Sequence, residues 1–407
     1  MDKIALKDLK PGMQLATDVK AEDGQIILPK GLTLTENHIQ ELKKIGIASV
    51  YIDKGKQNTK IKISATDLDK LKQYLSPLFA SNDFGEPLVR NIFYLSLAHL
   101  AQKYLNGWKI PDKRQHLPVE DGSFKDAFYK DEINFSLLVQ KEVELVSFPD
   151  IYFKIVEAIK DPNKSAADIA KIVSKDPSLS AKLLKLVNSP FYGLSQKVET
   201  ISRAITIIGA NELSTLALGI AAVNVFKDIP EQLIDMKSFW LHSIAVGVFA
   251  KLLAQRSHLE QEKYFVAGLL HDIGRLVLFK HIPRLATEAL LFSYANLIPL
   301  VEAEREVIGF DHALVGNSLI QAWNLPESLG QTIKLHHFPG KFVQLSDAIV
   351  HLADFLAIAM HISPKGSIVV PQLNKSIPKL INLSKEELKV LVNKALLEIE
   401  DTIRVFV

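Results

Sequence analysis

From about residue 136 onward, apolar residues recur at intervals of three and four, and each run ends at a helix stop. The stops are Asp161-Pro162, Asp176-Pro177, Ser189-Pro190, Gly209, Pro230, Pro326 and Phe338-Pro339-Gly340. No convincing period-two alternation lies between them, so this part of the chain is expected to be almost purely helical. No fixed-period repeat points to a solenoid. At 407 residues, with 48% hydrophobic and 23% charged residues, the chain can bury at least one sizeable core.

Residues 1–55 differ in texture. Met13–Val19 and Gln25–Leu28 read as short strands joined by the turn Glu22-Asp23-Gly24, with Pro29-Lys30-Gly31 closing the second. Thr35 is placed to cap a helix from Glu36 to Lys44 whose apolar side holds Ile39 and Leu42, and Ala48–Ile52 reads as a last strand. This is a small α+β module suited to partner contact or sensing. The polar stretch Lys54–Ser64 reads as a linker. Two amphipathic helices are expected over 65–106, broken at Phe84-Gly85-Glu86-Pro87, and 107–131 reads as a loop near a domain boundary. The division expected is therefore module 1–55, linker and helical connector 56–135, main helical domain 136–365 and C-terminal helical extension 366–407. The fold class is mainly α, preceded by a small α+β domain. The last helix, Ser384 to about Val405, either covers the core or pairs with a second copy in a homodimer.

A net charge of +2, with basic residues scattered, gives no electrostatic case for nucleic acid. Cysteine is absent, which excludes thiolate metal sites and fits a reducing cytoplasm. The N-terminus lacks a secretory apolar core, and the most apolar run, Leu213–Phe226, is too short to span a bilayer. A cytoplasmic protein with no membrane segment is expected.

The chemistry centres on His271-Asp272, set in the apolar run Ala267-Gly-Leu-Leu-His-Asp-Ile-Gly-Arg275. A carboxylate buried among leucines is costly unless a cation or hydrogen bonds compensate it. Further partners stand along the chain: His242, His312, the pair His336-His337, and Asp354. Imidazoles with carboxylates suit a divalent metal such as Fe, Mn or Zn. Taken singly each has a plainer reading, His242 as a core residue and His336-His337 as complements to a helix dipole. His258, His281 and His361 fit no pattern and read as incidental. Asp311 can cap the helix that carries His312, and His351, one turn from Asp354, is placed to orient it.

The stretches Asp168-Ile-Ala-Lys-Ile-Val-Ser-Lys-Asp-Pro177, Leu179–Gly193 and Val198–Gly209 together resemble the opening of an HDOD domain, an all-helical branch of the HD superfamily found in bacterial signalling proteins. The resemblance runs on through His271-Asp272 and Asp311–Gly316 to His351-Leu-Ala-Asp354, covering about 140–360. Asn188, in the turn at its centre, reads as a structural corner or a ligand contact. Leu9-Lys-Pro-Gly-Met13 and Leu28-Pro-Lys-Gly-Leu32 are similar to the small domain that often precedes HD-GYP catalytic domains.

The resemblance implies one metal held by His242, His271, Asp272 and Asp354, with His312, His336 and His337 as ligands of a second. It also shows departures. Where HD-GYP phosphodiesterases carry a phosphate-contacting lysine after Ile-Gly, this chain has Arg275, and Arg and Lys are not interchangeable. The Gly-Tyr-Pro loop is missing after His337. Ser238 stands where some relatives have an acidic ligand. Cyclic dinucleotide hydrolysis is therefore disfavoured.

Three readings stay open. The leading one is a bacterial regulatory protein that acts by binding other signalling proteins rather than as an enzyme, with a metal or a nucleotide as its input. The second is a metal-dependent phosphohydrolase acting on a nucleotide, with Arg275 on the phosphate. The third is a scaffold in which these side chains form a metal-free polar core.

Overall fold

The computed structural model describes the chain except residues 1, 10–12, 21–25, 29–31, 33, 35–37, 40–41, 44–46, 54–62, 112–124, 128–132, 146–147, 190–191, 195, 227–228, 230–232, 338–343, 365–367 and 407. It forms two compact units, Met1–Ser64 and Ala65–Val407.

In the first unit the described strands are β1 (Asp2–Ala5), β2 (Gln14–Leu15), β3 (Val19–Lys20), β4 (Ile26–Leu28) and β5 (Ser49–Asp53). β5 lies between β1 and β2, antiparallel to both, and β3 pairs antiparallel with β4, Val19 opposite Leu28. The single strand expected at Met13–Val19 is split by a bend at Ala16-Thr17, where Ala16 donates its N–H to Tyr51 O at 2.8 Å. β1 went unseen because Asp2 and Lys3 break the apolar alternation. The turn at 22–24 and the Pro29–Gly31 segment lie outside the described residues, and of the expected helix 36–44 only 38–39 and 42–43 are described as helical. Leu15, Leu34, Ile39, Leu42, Val50 and Ile52 close a small core.

The second unit is helical throughout its described regular structure. It opens with α1 (Ala65–Leu75), a 3-10 turn (Ser76–Phe79) and α2 (Pro87–Leu105). These helices, expected as a connector, are built into the unit. Val370 donates its N–H to Leu78 O at 2.8 Å, Asn82 holds Pro371 O (3.0 Å) and Leu373 N (2.9 Å), and the Ser96 hydroxyl donates to the Ala359 carbonyl. The apolar side they share, Leu71, Leu75, Phe79, Ile92 and Leu100, is fully buried there.

Next come α3 (Phe135–Leu145), α4 (Asp150–Lys160), α5 (Ala166–Val173), α6 (Pro177–Val187), α7 (Ile201–Ile208) and α8 (Ala210–Val225). Their starts follow the sequence signals: Ser165 and Asp168 form a capping box on α5, Asp176 caps α6 ahead of Pro177, and Thr200 caps α7. Gly209, at φ +97°, makes the sharp corner between α7 and α8, a conformation that L side chains rarely adopt. Asn188 staples its turn by donating to Leu184 O and Val198 O and accepting from Val198 N, each at 2.7 Å. Its amide is spent on the backbone, which is the structural reading of that residue.

The core helix is α9 (Met236–Arg256), started by Asp235, which accepts from the N–H groups of Lys237 and Ser238. It is long and apolar enough to cross a membrane, yet 83% of its most apolar window is buried within the unit. Around it pack α10 (Gln261–Leu270), α16 (Leu345–Ala359) and α18 (Lys385–Phe406). Between these in sequence lie α11 (Ile273–His281), α12 (Pro283–Asn296), α13 (Leu300–Val307), α14 (His312–Ala322), α15 (Glu327–Leu335) and the short α17 (Ile377–Leu380). The C-terminal helix α18 covers the core with its inner face, where Glu398 lies 3.7 Å from buried Lys251. Val390 and Leu397 stay on its outer face.

Candidate metal centre

Two close helix crossings bring the ligand-type residues together. α10 crosses α9 at Gly268 and Gly247, where a Cβ on Gly268 would stand 2.7 Å from the Gly247 Cα. That crossing carries His271, the residue after α10, up to His242 in the second turn of α9. Gly274, in the first turn of α11, meets the start of α14: its Cβ would be 2.0 Å from the His312 carbonyl oxygen and 2.7 Å from Gly316 N. Asp272, just ahead of α11, is thereby set against His312. A side chain at either glycine would force backbone apart.

All seven expected side chains converge. His242, His271 and Asp354 form one group, and Asp272, His312, His336 and His337 form another. His242 Nε2 lies 3.3 Å and His271 Nε2 3.7 Å from Asp354 Oδ1. Asp272 sits between the groups: its Oδ1 is 3.5 Å from His271 Nε2, 3.1 Å from His312 Nε2 and 3.8 Å from His336 Nε2. His337 has its Nε2 3.0 Å from His312 Nε2 and its Nδ1 3.8 Å from Asp354 Oδ2. Six of the seven are buried and His337 is half-buried.

The hydrogen bonds fix which nitrogen of three rings carries the proton. His242 Nδ1 lies 2.7 Å from Ile362 O, His271 Nδ1 2.6 Å from Gly268 O and His336 Nδ1 2.5 Å from Ile333 O. A carbonyl oxygen can only accept, so each Nδ1 donates and each Nε2 is turned inward, bare wherever the ring is neutral. His242 Nε2 and His271 Nε2 face one another at 3.2 Å, and burial holds the His271 ring neutral. His336 Nε2 and both Asp354 oxygens also lack a hydrogen-bond partner among the described residues. Such groups are expensive to bury as they stand. Converging imidazole lone pairs and carboxylate oxygens are what a divalent ion of the Fe, Mn or Zn type takes as ligands, so the donor set fits a metal.

The electrostatics agree. Burial pushes the imidazoles of His271 (to about 4), His336 and His337 down, which keeps them neutral and able to ligate. Burial opposes the Asp272 carboxylate, but His271, Arg275 and His312 outweigh it and hold the group well below its ordinary value. Asp354, likewise opposed by burial, is held down by His242 and His271. Burial lowers His312 as well, but Glu304 and Asp272 on either side prevail and raise it to about 10. A cation on His312 Nε2 would take the place of that second proton.

Arg275 donates from Nη1 to Asp272 Oδ2 at 2.8 Å. Its guanidinium is buried, and neither Nε nor Nη2 has a hydrogen-bond partner among the described residues. It lines a cavity of about 30 Å³ with His242, Asp272, His312, His337 and Asp354, beside Pro299, Leu300, Ile358, Val369 and Pro371. The charge expected at this position is thus present, buried and incompletely satisfied.

Some residues depart from expectation. His351 does not orient Asp354; its Nδ1 donates to the His336 carbonyl at 2.6 Å, and its Nε2 accepts from Asn374 N at 3.2 Å. It steadies the His336 backbone from the same helical face. His281 is not incidental: it is buried, 2.7 Å from the buried carboxylate of Glu142, which also takes Lys280 at 2.9 Å. His361 packs on Ser96 and Tyr74. Asp311 caps α14 as expected, and Arg305 pins it at 2.6 Å. Ser238 spends its hydroxyl on Asp235 O. The Pro339-Gly340 stop after His337 lies outside the described residues.

Glu304 was missed. It is buried, and its Oε2 accepts both the Nδ1 proton (2.5 Å) and the main-chain N–H (2.9 Å) of His312. Eight residues separate the two with a turn between, so no helical spacing betrays the pair. The signal available was a glutamate on the apolar side of α13, beside Val301 and Val307.

Residues 145–339 match the model of the HDOD domain. The chain carries an HDOD domain. The match holds six of the seven converging residues, and Asp354 lies beyond it. An uncharacterized protein of Treponema pallidum is 29% identical over 197 residues, which is 48% of this chain and 38% of that protein. The chain thus matches little more than a third of that relative. An HDOD domain protein of unknown function from Geobacter sulfurreducens superposes with a TM-score of 0.52 at 25% identity, over 66% of this chain and 96% of its own. A candidate phosphohydrolase from Shewanella amazonensis superposes with a TM-score of 0.54 at 23% identity, over 66% and 98% of the two chains. These likenesses cover 66% of the chain, more than the matched residues 145–339.

Proposed function

We propose that the HDOD domain holds two divalent metal ions and acts as a metal-dependent phosphohydrolase on a phosphate ester. The observation that carries this reading is the convergence of His242 Nε2 and His271 Nε2, 3.2 Å apart, on the Asp354 oxygens, which have no hydrogen-bond partner among the described residues. His242, His271 and Asp354 would hold one ion, and His312, His336 and His337 the other, with Asp272 between them. Divalent ions held there supply Lewis-acid activation of a phosphoryl group. Arg275 would give its spare Nε and Nη2 protons to the phosphoryl oxygens, a bidentate grip that suits a guanidinium. Glu304 keeps His312 in the ligating orientation. The Geobacter and Shewanella likenesses support the fold that this reading needs, and the name phosphohydrolase belongs to the Shewanella protein.

The test is hydrolysis of bis(4-nitrophenyl) phosphate and of nucleotides by protein loaded with Mn, Fe or Zn, with Arg275→Lys alongside. Metal-dependent turnover that Arg275→Lys lowers supports the reading. A fully loaded protein with no turnover on any phosphate ester contradicts it.

One observation favours a second reading. A cavity of about 30 Å³ is water-sized and does not house a whole nucleotide. In that case the loaded domain acts as a regulator that binds other signalling proteins, with metal occupancy or a nucleotide as input and the N-terminal unit as the partner module. Partner capture that depends on metal, without turnover, would distinguish it.

A further inference from the structure

The small volume of the metal cavity leaves the organic part of any phosphate ester to be housed elsewhere. A second cavity, of about 580 Å³, lies in the same unit and falls in the size range of small-molecule sites. The two are adjacent along the chain at two places: Ser293 and Val369 line the metal cavity, and their chain neighbours Tyr294 and Ile368 line the larger one. Its lining combines two tyrosines, Tyr74 and Tyr294, with apolar Pro77, Leu78 and Ile110 and one amide, Gln73. That is a surface for a flat ring with a polar edge. Aromatic rings and prolines give it a face, and an amide that both donates and accepts meets a heterocycle's edge.

A separate feature points the same way. Leu297, which ends α12 and lines this cavity, has φ +53° and is 40% exposed. A leucine in the left-handed region is strained, and exposing its side chain adds a second cost; such outliers cluster at ligand sites.

We propose that this cavity receives the aromatic heterocycle of a nucleoside phosphate whose phosphoryl group enters the metal cavity beside Arg275. The proposal rests on the phosphohydrolase reading for the phosphate end only. The wall it needs is supplied by α1, from the segment that sequence alone marks as a connector.

The test uses the full chain and two independent readouts. The first is calorimetric binding of adenosine, which has no phosphate and needs no metal. Binding to the wild type should weaken about tenfold in Tyr74→Ala, the scale of a lost ring–base stack. It should also weaken in Ala295→Trp, which adds bulk to the cavity from an exposed position on the last turn of α12. Melting curves check that both variants fold. No binding of adenosine by the wild type, or equal binding by all three proteins, overturns the pocket. The second readout is the KM for adenosine 5′-monophosphate against that for methyl phosphate in Mn-loaded protein. The proposal expects the ratio to rise in Ala295→Trp; an unchanged ratio overturns the link between the cavities. Absence of turnover on both esters contradicts the phosphohydrolase reading, while the adenosine measurement still decides the pocket.

Discussion

Glu304 uses one carboxylate oxygen to accept both the ring Nδ1 proton and the main-chain N–H of His312. That double contact fixes the ring's rotation and its tautomer at once, and leaves Nε2 aimed at Asp272, 3.1 Å away. A ligand held by such an outer partner is a better donor, and loss of the partner costs about 10–100-fold in metal affinity. Glu304→Gln is therefore expected to weaken divalent metal binding by about that factor while the protein stays folded. Competition with a chromophoric chelator measures it, and unchanged affinity would remove Glu304 from the site.

The crossings at Gly268 and Gly274 predict a coupling between packing and ligation. Gly274→Ala would push the α11 start away from the His312 carbonyl, and Gly268→Ala would part α9 from α10. Overpacking of this kind costs about 1–3 kcal/mol, more where only backbone can give way. Both variants should lower the urea midpoint and weaken metal binding together. A variant that loses stability with metal affinity intact would show that the crossing does not set the ligand geometry.

Arg275 and Asp272 are a buried ion pair at 2.8 Å, and breaking such a pair costs about 3–5 kcal/mol because one charge is left uncompensated. Metal would compensate Asp272 in place of the guanidinium. Arg275→Met is thus expected to destabilise metal-free protein more than metal-loaded protein. Chemical denaturation with and without Mn compares the two, and equal losses would count against a metal next to Asp272.

The acid side of the stability curve should be set partly by His99 and His361. Burial, with Lys103 adding to it, lowers His99 to about 4 and His361 to about 3. Their ordinary value is 6.5, so below that pH the unfolded chain binds protons that the folded chain refuses. Stability contributed by these groups is complete above pH 6.5 and falls as the pH drops toward their folded values. Urea unfolding at pH 7.5, 5.5 and 4.5 should show this decline, with a shallower slope in His99→Gln. An identical slope in that variant would exclude His99 as a source.

Much of the site was legible before the fold. His271-Asp272 announced itself by the cost of burying a carboxylate among leucines, and its five companions sit in the same converging cluster. Helix starts were readable because Ser165, Asp176, Thr200 and Asp311 carry their capping chemistry locally. What could not be read was anything decided by contact at a distance. Glu304 and Glu142 are carboxylates buried by tertiary packing, and sequence spacing does not reveal His312 or His281 as their partners. His351 was read on the correct face but given the wrong partner, since the His336 carbonyl approaches it from another segment. α1 and α2 looked like a connector because amphipathic helices reveal that a face is buried without revealing against what.

Metal content decides the matter at the centre of this reading. Protein purified without chelators, and reloaded with Mn, Fe or Zn, is to be assayed by elemental analysis beside Asp272→Asn, which keeps the shape of the bridging side chain and removes its charge. Two divalent ions per chain are expected in the wild type, one for each ligand group, with a clear loss in the variant. A folded wild type that retains no stoichiometric metal under any loading condition would contradict it, and would leave the histidines and aspartates as a polar core.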